Sequence, residues 1–231
     1  MNNTYKIKLF LLVILTPLGL FAGNPHNITF GEIKAQGKIW GIDVSHHQST
    51  IDWEKLKEQK PHFIFLKATE GSSRQDTKYH ENYKEARKLG ITVGSYHFFS
   101  YKSRGKDQAK NFLSTVIYKS GDLPLVLNAE FARTIPARKV VTNELVTFIN
   151  IVFKKTGRYP IIYCDYDYYE LYLKEHLQGK CKLWIVDYKN RPNCKWTFWQ
   201  TTNKFKMAGI KGKVDFNLFN GSREKLDNLL L

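Results

Sequence analysis

Short apolar runs alternate along the chain with longer stretches in which hydrophobic residues recur at helical spacing. The apolar runs are rich in β-branched and aromatic residues, and many are flanked by Gly or Pro, which predicts buried strands. They are KIWGIDVS (38–45), HFIFLKATEG (62–71), ITVGSYHFF (91–99), LPLVLNAEF (123–131), YPIIYCD (159–165), KLWIVDY (182–188) and WTFWQ (196–200).

Helices are predicted between several of these strands. The clearest is the third, in which Val141, Leu145, Phe148, Ile149 and Val152 recur on one face. The predicted helices cover 77–89, 106–118, 138–155 and 166–177, and glycines at 90, 121, 157 and 179 are expected to end them.

The alternation of strands and helices predicts an α/β fold with a largely parallel sheet. A doubly wound sheet and a (β/α) barrel both fit this pattern. No Gly-rich phosphate loop follows the first strand, which disfavours a nucleotide-binding protein. The chain shows no internal repeat and no low-complexity linker, so one folded domain is expected.

The first 22 residues differ from the rest of the chain. Lys6 and Lys8 precede an almost wholly apolar run at 9–22, the pattern of a secretory signal peptide. An uncleaved membrane anchor is the alternative, although the run is short for a span. We therefore expect a signal peptide at 1–22, a leader at 23–37, a folded domain at 38–231, and export to the periplasm or the extracellular space.

The chain is strongly basic. It has 36 Lys and Arg against 21 Asp and Glu, which gives a net charge of +15. Loss of the two lysines in residues 1–22 would leave +13. This charge favours an anionic partner, either nucleic acid, a membrane surface or an anionic cell-wall polymer. No basic stripe with interleaved aromatics is present and export argues against nucleic acid, so nucleic acid is not expected.

Three cysteines follow the apolar run, without metal-site spacing. An exported protein meets an oxidising compartment, so a disulfide between Cys181 and Cys194 is one expectation and free thiols are the other. Cys164 lies in the apolar run PIIYC and is expected to be a buried thiol.

Acidic or amide side chains stand at the ends of the predicted strands. Asn128 and Glu130 are two residues apart, so on a strand they share one face. A carboxyl group over an apolar floor retains its proton to higher pH and can act as a general acid. The alternative for Glu130 is an ion pair with Arg133. The other polar residues at strand ends are Asp43, Glu70, Asp165 and Asp187, of which the last two could instead cap helices.

Aromatic residues surround these strand ends, and most are expected in the core, with some free to stack on sugar rings. They are Trp40, Tyr96, Phe98, Phe99, Tyr163, Trp184, Trp196 and Trp199. Carboxyl groups beside aromatic platforms indicate carbohydrate chemistry, in particular glycoside hydrolysis. His46, His47 and His97 lack a metal-binding pattern, so neither a metal nor another cofactor is expected.

Eight motifs then occur in order between Lys38 and Phe219. They are GIDVSHHQSTIDW (41–53), FIFLKATEG (63–71), GSYHFF (94–99) after a helix ending in Gly, LPLVLNAE (123–130), TGRYPIIY (156–163), LWIVDY (183–188), FWQ (198–200) and GKVDFNLF (212–219). Together they resemble the glycoside hydrolase family 25 lysozymes, the Chalaropsis-type muramidases. The resemblance implies an irregular (β/α) barrel that cleaves the β-1,4 bond from N-acetylmuramic acid to N-acetylglucosamine in peptidoglycan, with a monomer as the default.

The same resemblance implies the site residues. The family's DxE motif falls on Asn128–Glu130, which makes Glu130 the expected general acid. The implied catalytic set is Asp43, Asn128, Glu130 and Asp215. Weaker expectations for substrate contacts are Tyr96, Tyr163, Trp199 and Gln200.

Asn128 departs from the family pattern, which has Asp at that position. An amide cannot supply a charge, but it can hydrogen-bond the substrate's 2-acetamido group, which then attacks the anomeric carbon. Some endo-acting N-acetylglucosaminidases are similar in having Asn before the catalytic Glu. The loss of a negative neighbour lowers the pKa of Glu130 relative to a DxE enzyme and predicts an acidic optimum. The alternative is a glycan-binding protein that has lost turnover.

Overall fold

Eight strands close into a barrel in the computed structural model, which describes residues 30–231. The strands are β1 (Trp40–Val44), β2 (Phe63–Glu70), β3 (Arg74–Gln75), β4 (Thr92–Phe98), β5 (Val126–Asn128), β6 (Ile161–Cys164), β7 (Leu183–Val186), β8 (Phe198–Phe205) and β9 (Val214–Phe219). The helices are α1 (Phe30–Ala35), α2 (Trp53–Gln59), α3 (Tyr79–Lys88), α4 (Gly105–Thr115), α5 (Arg138–Thr156), α6 (Tyr166–Tyr172), α7 (Lys174–Leu177) and α8 (Arg223–Asp227).

The barrel is mostly parallel, with one reversed strand. The order is β1-β9-β8-β7-β6-β5-β4-β2, and a parallel pairing of β1 with β2 closes the ring. β9 runs antiparallel to both of its neighbours, and β3 pairs only with the end of β2. The structure thus confirms the barrel and excludes the doubly wound sheet. Because β9 is reversed, its first residues lie at the mouth where the parallel strands end.

Side chains alternate between the barrel interior and the surrounding helices, as the strand period requires. The interior is packed with rings, and Phe65 stacks on Trp184 at 4.3 Å between centroids. Gly41 faces this interior, and a Cβ there would collide with the backbone and ring of Phe63. A glycine is therefore needed at this position so that β1 can approach β2.

The predicted helices are confirmed, with corrections at their ends. The fourth splits into α6 and α7 at Leu173. Gly157 ends α5 with a φ of +72°, and Gly90 and Gly179 follow α3 and α7 in the same left-handed region. Gly121 does not end a helix, because α4 already stops at Thr115; it lies instead in the turn before β5. The short helices α1, α2 and α8 were not predicted.

The predicted signal peptide and the leader up to residue 29 lie outside the described residues. The remainder of the leader contains α1, whose Phe30 packs edge-on against Trp40 at 4.9 Å. Within residues 30–231, no helix has both the length and the hydropathy needed to span a bilayer.

All three cysteines are free thiols, so the disulfide expected between Cys181 and Cys194 is not formed. Cys164 is buried, as predicted, on the face of β6 that packs against the helices. Burial raises the pKa of its thiol well above the ordinary value, which keeps it protonated and unreactive.

Candidate active site

A cleft of about 250 Å³ opens at the mouth of the barrel where the parallel strands end. Asp43 comes from β1, Asn128 from the end of β5, Glu130 two residues later, and Asp215 from the start of β9. The structure therefore brings together all four side chains of the implied catalytic set. Its walls also include Ser45, His47, Gln48, Lys67, Tyr96, Phe98, Tyr163, Tyr188 and Gln200.

Asp43 and Asp215 form a carboxyl pair at the floor of the cleft. They are register partners across the antiparallel pairing of β1 with β9, and their side chains share a hydrogen bond. Asp43 Oδ2 also accepts hydrogen bonds from Asn217 Nδ2 at 2.8 Å and from Gln200 Nε2 at 3.1 Å. One oxygen of Asp43 thus accepts hydrogen bonds from two amide groups, which fix the orientation of the carboxyl group.

The two amides are themselves held in place. Trp184 Nε1 donates to Asn217 Oδ1 at 2.9 Å. The hydroxyl of Tyr163 donates to Gln200 Oε1 at 2.6 Å, and that of Tyr188 donates to the same atom at 3.0 Å. Each amide therefore has its carbonyl oxygen occupied, which directs its NH₂ group at Asp43.

Burial is the main influence on the acidity of this pair. Burial first, and then the neighbouring Asp215, raise the pKa of Asp43 well above its ordinary value. Burial and the nearby Glu130 raise the pKa of Asp215 to about 6. The pair therefore retains a proton at pH values where two exposed aspartates would both be ionised.

Glu130 lines the cleft half-buried. Burial raises the pKa of its carboxyl group, a hydrogen bond from the Asn128 side chain lowers it, and Asp165 and Lys67 have smaller opposing effects. The backbone is anchored by the Tyr101 hydroxyl, which donates to the Glu130 carbonyl at 2.6 Å. Among the described residues no ion pair joins Glu130 to Arg133, so the alternative of a strand-end ion pair is not observed.

Asn128 contributes an unusual acceptor. Its Oδ1 is buried, yet it has no hydrogen-bond partner within residues 30–231, while the side chain lines the cleft. A buried carbonyl oxygen without a donor is costly, on the order of 1–3 kcal/mol. Because the side chain also lines the cleft, a rotation that turned this oxygen toward the cleft would allow a ligand's N–H group to satisfy it.

The other acidic residues at strand ends have structural roles outside the cleft. Glu70 pairs with Lys67 at 2.7 Å and with Arg74 at 2.8 Å. Asp165 caps α6 by accepting a hydrogen bond from the backbone N–H of Tyr168, which confirms the alternative prediction that it caps a helix. Asp187 accepts from the backbone N–H groups of residues 189 and 190 in a turn.

Three of the four expected substrate contacts line the cleft: Tyr96, Tyr163 and Gln200. Trp199 does not, because β8 directs its neighbours Phe198 and Gln200 inward and Trp199 outward. There it is 7% exposed, and its indole N–H donates to the Asp187 carbonyl at 2.8 Å. The expectation for Trp199 is therefore corrected to a role in the core.

Sequence reasoning missed Lys67, Tyr188 and Asn217. Asn217 is two residues after Asp215, so the strand period places it on the same inward face. The Lys67 ammonium group lies 4.9 Å from the centre of the Phe98 ring at the edge of the cleft. Tyr188 ends the motif LWIVDY, but nothing in the sequence assigned it a role in the site; it follows β7 and is 46% exposed.

His46 and His47 lie side by side, with ring centres 4.1 Å apart, and His47 lines the cleft, whereas His97 lies apart from both. His46 Nδ1 bonds Asp76 at 2.6 Å, whereas His97 is buried between Thr69 and Gln108. Burial lowers the pKa of His97 to about 4, which makes it a neutral core residue. Within the described residues, no group of three or more His, Cys, Asp or Glu is placed to hold a metal ion.

The fold and the site together define a class of protein. A barrel whose mouth gathers a half-buried glutamic acid, an amide and a carboxyl pair, with tyrosines on the walls, is a (β/α)-barrel glycoside hydrolase. The family model described as "Glycosyl hydrolases family 25" matches residues 42–210. The chain therefore belongs to glycoside hydrolase family 25, as the motifs indicated. The match includes Asp43, Asn128 and Glu130 and ends before Asp215.

Individual relatives agree with this assignment. Lysozyme M1 of Streptomyces globisporus is 32% identical over 225 residues, which cover 90% of this chain and 76% of that protein. The solved family 25 glycosyl hydrolase from Bacillus anthracis is 36% identical, with a TM-score of 0.78 over 85% of this chain and 95% of that one. The bacterial lysozyme from Streptomyces coelicolor is 30% identical, with a TM-score of 0.77 over 84% and 97% of the two chains.

Proposed function

We propose that this glycoside hydrolase is an exported lysozyme that cleaves peptidoglycan between N-acetylmuramic acid and N-acetylglucosamine. The observation that carries the proposal is the placement of Glu130, whose pKa is raised by burial, beside the amide side chain of Asn128 in one cleft. A substrate with a 2-acetamido group offers both a glycosidic oxygen to protonate and an N–H group to bind. The lysozyme names of two relatives support the same substrate.

The first step breaks the glycosidic bond. Glu130 donates its proton to the glycosidic oxygen, which leaves with the departing sugar. The Asn128 side chain rotates so that Oδ1 faces the cleft, where it accepts a hydrogen bond from the acetamido N–H and turns the acetamido oxygen toward the anomeric carbon. That oxygen forms a bond to the anomeric carbon as the glycosidic bond breaks, giving a bicyclic oxazolinium intermediate.

The second step returns the enzyme to its starting state. Glu130, now ionised, removes a proton from a water molecule that attacks the anomeric carbon. The bond from the acetamido oxygen breaks, and the product carries the new hydroxyl group. Asp43 and Asp215 stabilise the positive charge that develops on the sugar and keep the floor of the cleft ordered.

A non-catalytic glycan-binding protein is the second candidate, and the observation that favours it is Asn128 itself. An amide at this position supplies no negative charge to the developing cation. Both candidates keep peptidoglycan as the partner, with anionic cell-wall polymers attracted by a net charge that is +13 once the expected signal peptide is removed. A monomer acting in the periplasm or outside the cell fits either one.

Digestion of purified peptidoglycan tests the proposal directly. We expect new reducing ends that mass spectrometry identifies as N-acetylmuramic acid, because the scissile bond lies on the muramic acid side. Reducing ends of N-acetylglucosamine would indicate a different glycosidase. Binding of muropeptides with no new reducing ends would favour the second candidate.

The pH dependence of cleavage should follow the proton on Glu130. Burial raises the pKa of this carboxyl group, and the acid is active only while protonated, so kcat/KM falls as the pH rises through that pKa. The hydrogen bond from Asn128 limits the rise, and we therefore expect an optimum on the acidic side of neutrality. Initial rates on a soluble glycan fragment between about pH 4 and about pH 9 would measure the profile. A maximum above neutrality contradicts this prediction.

A further inference from the structure

A second cavity lies at the end of the barrel opposite the catalytic cleft, where β6, β7 and β8 begin. Its volume is about 580 Å³, more than twice that of the cleft. Residues just before and at the start of these strands line it: 157–159 and 161, 179–183, and 194, 195 and 197. We call it the basal groove. None of the side chains at the mouth of the barrel contributes to it.

The basal groove carries uncompensated positive charge. Its lining includes five basic side chains and no Asp or Glu. Two of the five are engaged: Lys174 bonds Glu170, and the Arg158 guanidinium donates to the carbonyls of Leu229 and Leu230. The other three are exposed and have no ion pair within the described part of the chain: Lys180, Lys182 and Lys195.

Aromatic rings line the same groove. Phe153 and Tyr159 stack at 4.1 Å with an angle of 16° between their planes, and Phe153 is 37% exposed. Tyr166 and Tyr169 line it as well. Flat ring faces bind the C–H faces of sugars, while free ammonium groups bind carboxylates. The combination is suited to a glycan that bears negative charges, and it differs from the cleft, whose charged groups are mostly acidic.

We propose that the basal groove binds a second, carboxylate-bearing strand of peptidoglycan while the cleft holds the strand that is cut. This inference rests on the proposed function, because it takes peptidoglycan as the substrate. The peptide stems of a neighbouring strand supply carboxylates for Lys180, Lys182 and Lys195, and its sugars pack on Phe153 and Tyr159. Two sites at opposite ends of one barrel keep the enzyme attached to the wall between cleavage events.

Co-sedimentation with purified sacculi tests the groove. All proteins carry E130Q, which removes the general acid so that the sacculi stay intact. The triple variant K180Q/K182Q/K195Q is compared with K106Q/K110Q/K139Q, which removes the same charge from exposed lysines of α4 and α5 that lack ion pairs. We expect the groove variant to bind about tenfold more weakly than the control variant, with the difference shrinking at high salt.

A substitution that leaves the charge unchanged tests whether binding depends on the groove itself or only on general electrostatic attraction. Phe153→Ala removes the partly exposed ring and should also weaken sacculus binding, by about threefold; the melting temperature should fall because the stacking on Tyr159 is lost, and binding is measured below it. Equal binding by the two triple variants would overturn the proposal. So would a groove variant that binds sacculi like its control but loses binding to vesicles of anionic phospholipid, which would assign the groove to a membrane surface.

Turnover is measured separately, in proteins that retain Glu130. On a soluble fragment of one glycan strand, K180Q/K182Q/K195Q should keep the kcat and KM of the unmodified protein. If neither protein cleaves the fragment, the proposed function fails, whereas the sedimentation comparison still decides whether the groove binds the wall. A groove variant with lowered kcat on this fragment would contradict a role confined to attachment.

Discussion

Glu130→Gln is expected to lower kcat on a soluble peptidoglycan fragment by about 10²–10⁴-fold, the range typical for loss of a general acid. The amide of Gln has nearly the shape of the protonated carboxyl group but cannot release a proton to the glycosidic oxygen. Since Glu130 is half-buried and forms no ion pair within residues 30–231, the fold should tolerate the change. Release of reducing ends under saturating substrate measures the effect.

A matched control separates loss of chemistry from loss of structure. Glu175→Gln makes the same replacement on α7, where the side chain is exposed, and should leave kcat unchanged. Both variants should melt within a few degrees of the unmodified protein. Undiminished turnover by Glu130→Gln would remove this residue from the role of acid and, with it, the two-step mechanism.

The parallel part of the barrel could be predicted because its strands are apolar on both faces. Strand β2 is an example: Phe63 and Phe65 fill the barrel while Ile64 and Leu66 pack against the helices, so its first four residues are all apolar. Strand β9 is different. Asp215 and Asn217 face the polar mouth and alternate with outward apolar residues, a pattern that local periodicity alone does not distinguish from an exposed strand.

The short helices were missed for a related reason. In α2 only Trp53 and Leu56 are buried, so its seven residues contain a single apolar pair at helical spacing. Two positions do not establish a period. The helix begins where Asp52 accepts a hydrogen bond from the backbone N–H of Lys55. An N-terminal cap was thus the stronger local signal.

Part of the site could be predicted from the residues at strand ends, whereas the rest depends on which strands pair. Asn128 and Glu130 are two apart on one strand, and alternation was enough to place them on one face. Successive side chains of a strand point to opposite faces, so Trp199 and Gln200 of β8 cannot both line the cleft. With Gln200 in the cleft, alternation alone predicts that Trp199 points away from it. Asp43 and Asp215 are far apart in sequence, and only the antiparallel register of β1 with β9 makes them a pair. Their mutual effect on acidity follows from that register.

Asn128→Ala should lower kcat by about 10²-fold with a smaller effect on KM. The partnerless Oδ1 of Asn128 is the acceptor that would orient the acetamido group, and orientation matters most when the acetamido oxygen attacks the anomeric carbon. Alanine removes this acceptor and also the hydrogen bond from Asn128 that lowers the pKa of Glu130. The alkaline side of the pH profile should therefore move to higher pH even as the maximum rate falls.

Asn128→Asp completes the comparison. A carboxylate can still accept from the acetamido N–H, so turnover should persist, and its negative charge should raise the pKa of Glu130 and move the alkaline limb of the profile upward. Asn150→Ala, on the exposed face of α5, serves as an amide control. If Asn128→Ala keeps full kcat, this residue does not orient the acetamido group. A different result would favour the second candidate, the non-catalytic glycan-binding protein. In that result the natural protein binds substrate without cleaving it, and only Asn128→Asp turns it over, because catalysis then requires the negative charge that Asn128 lacks.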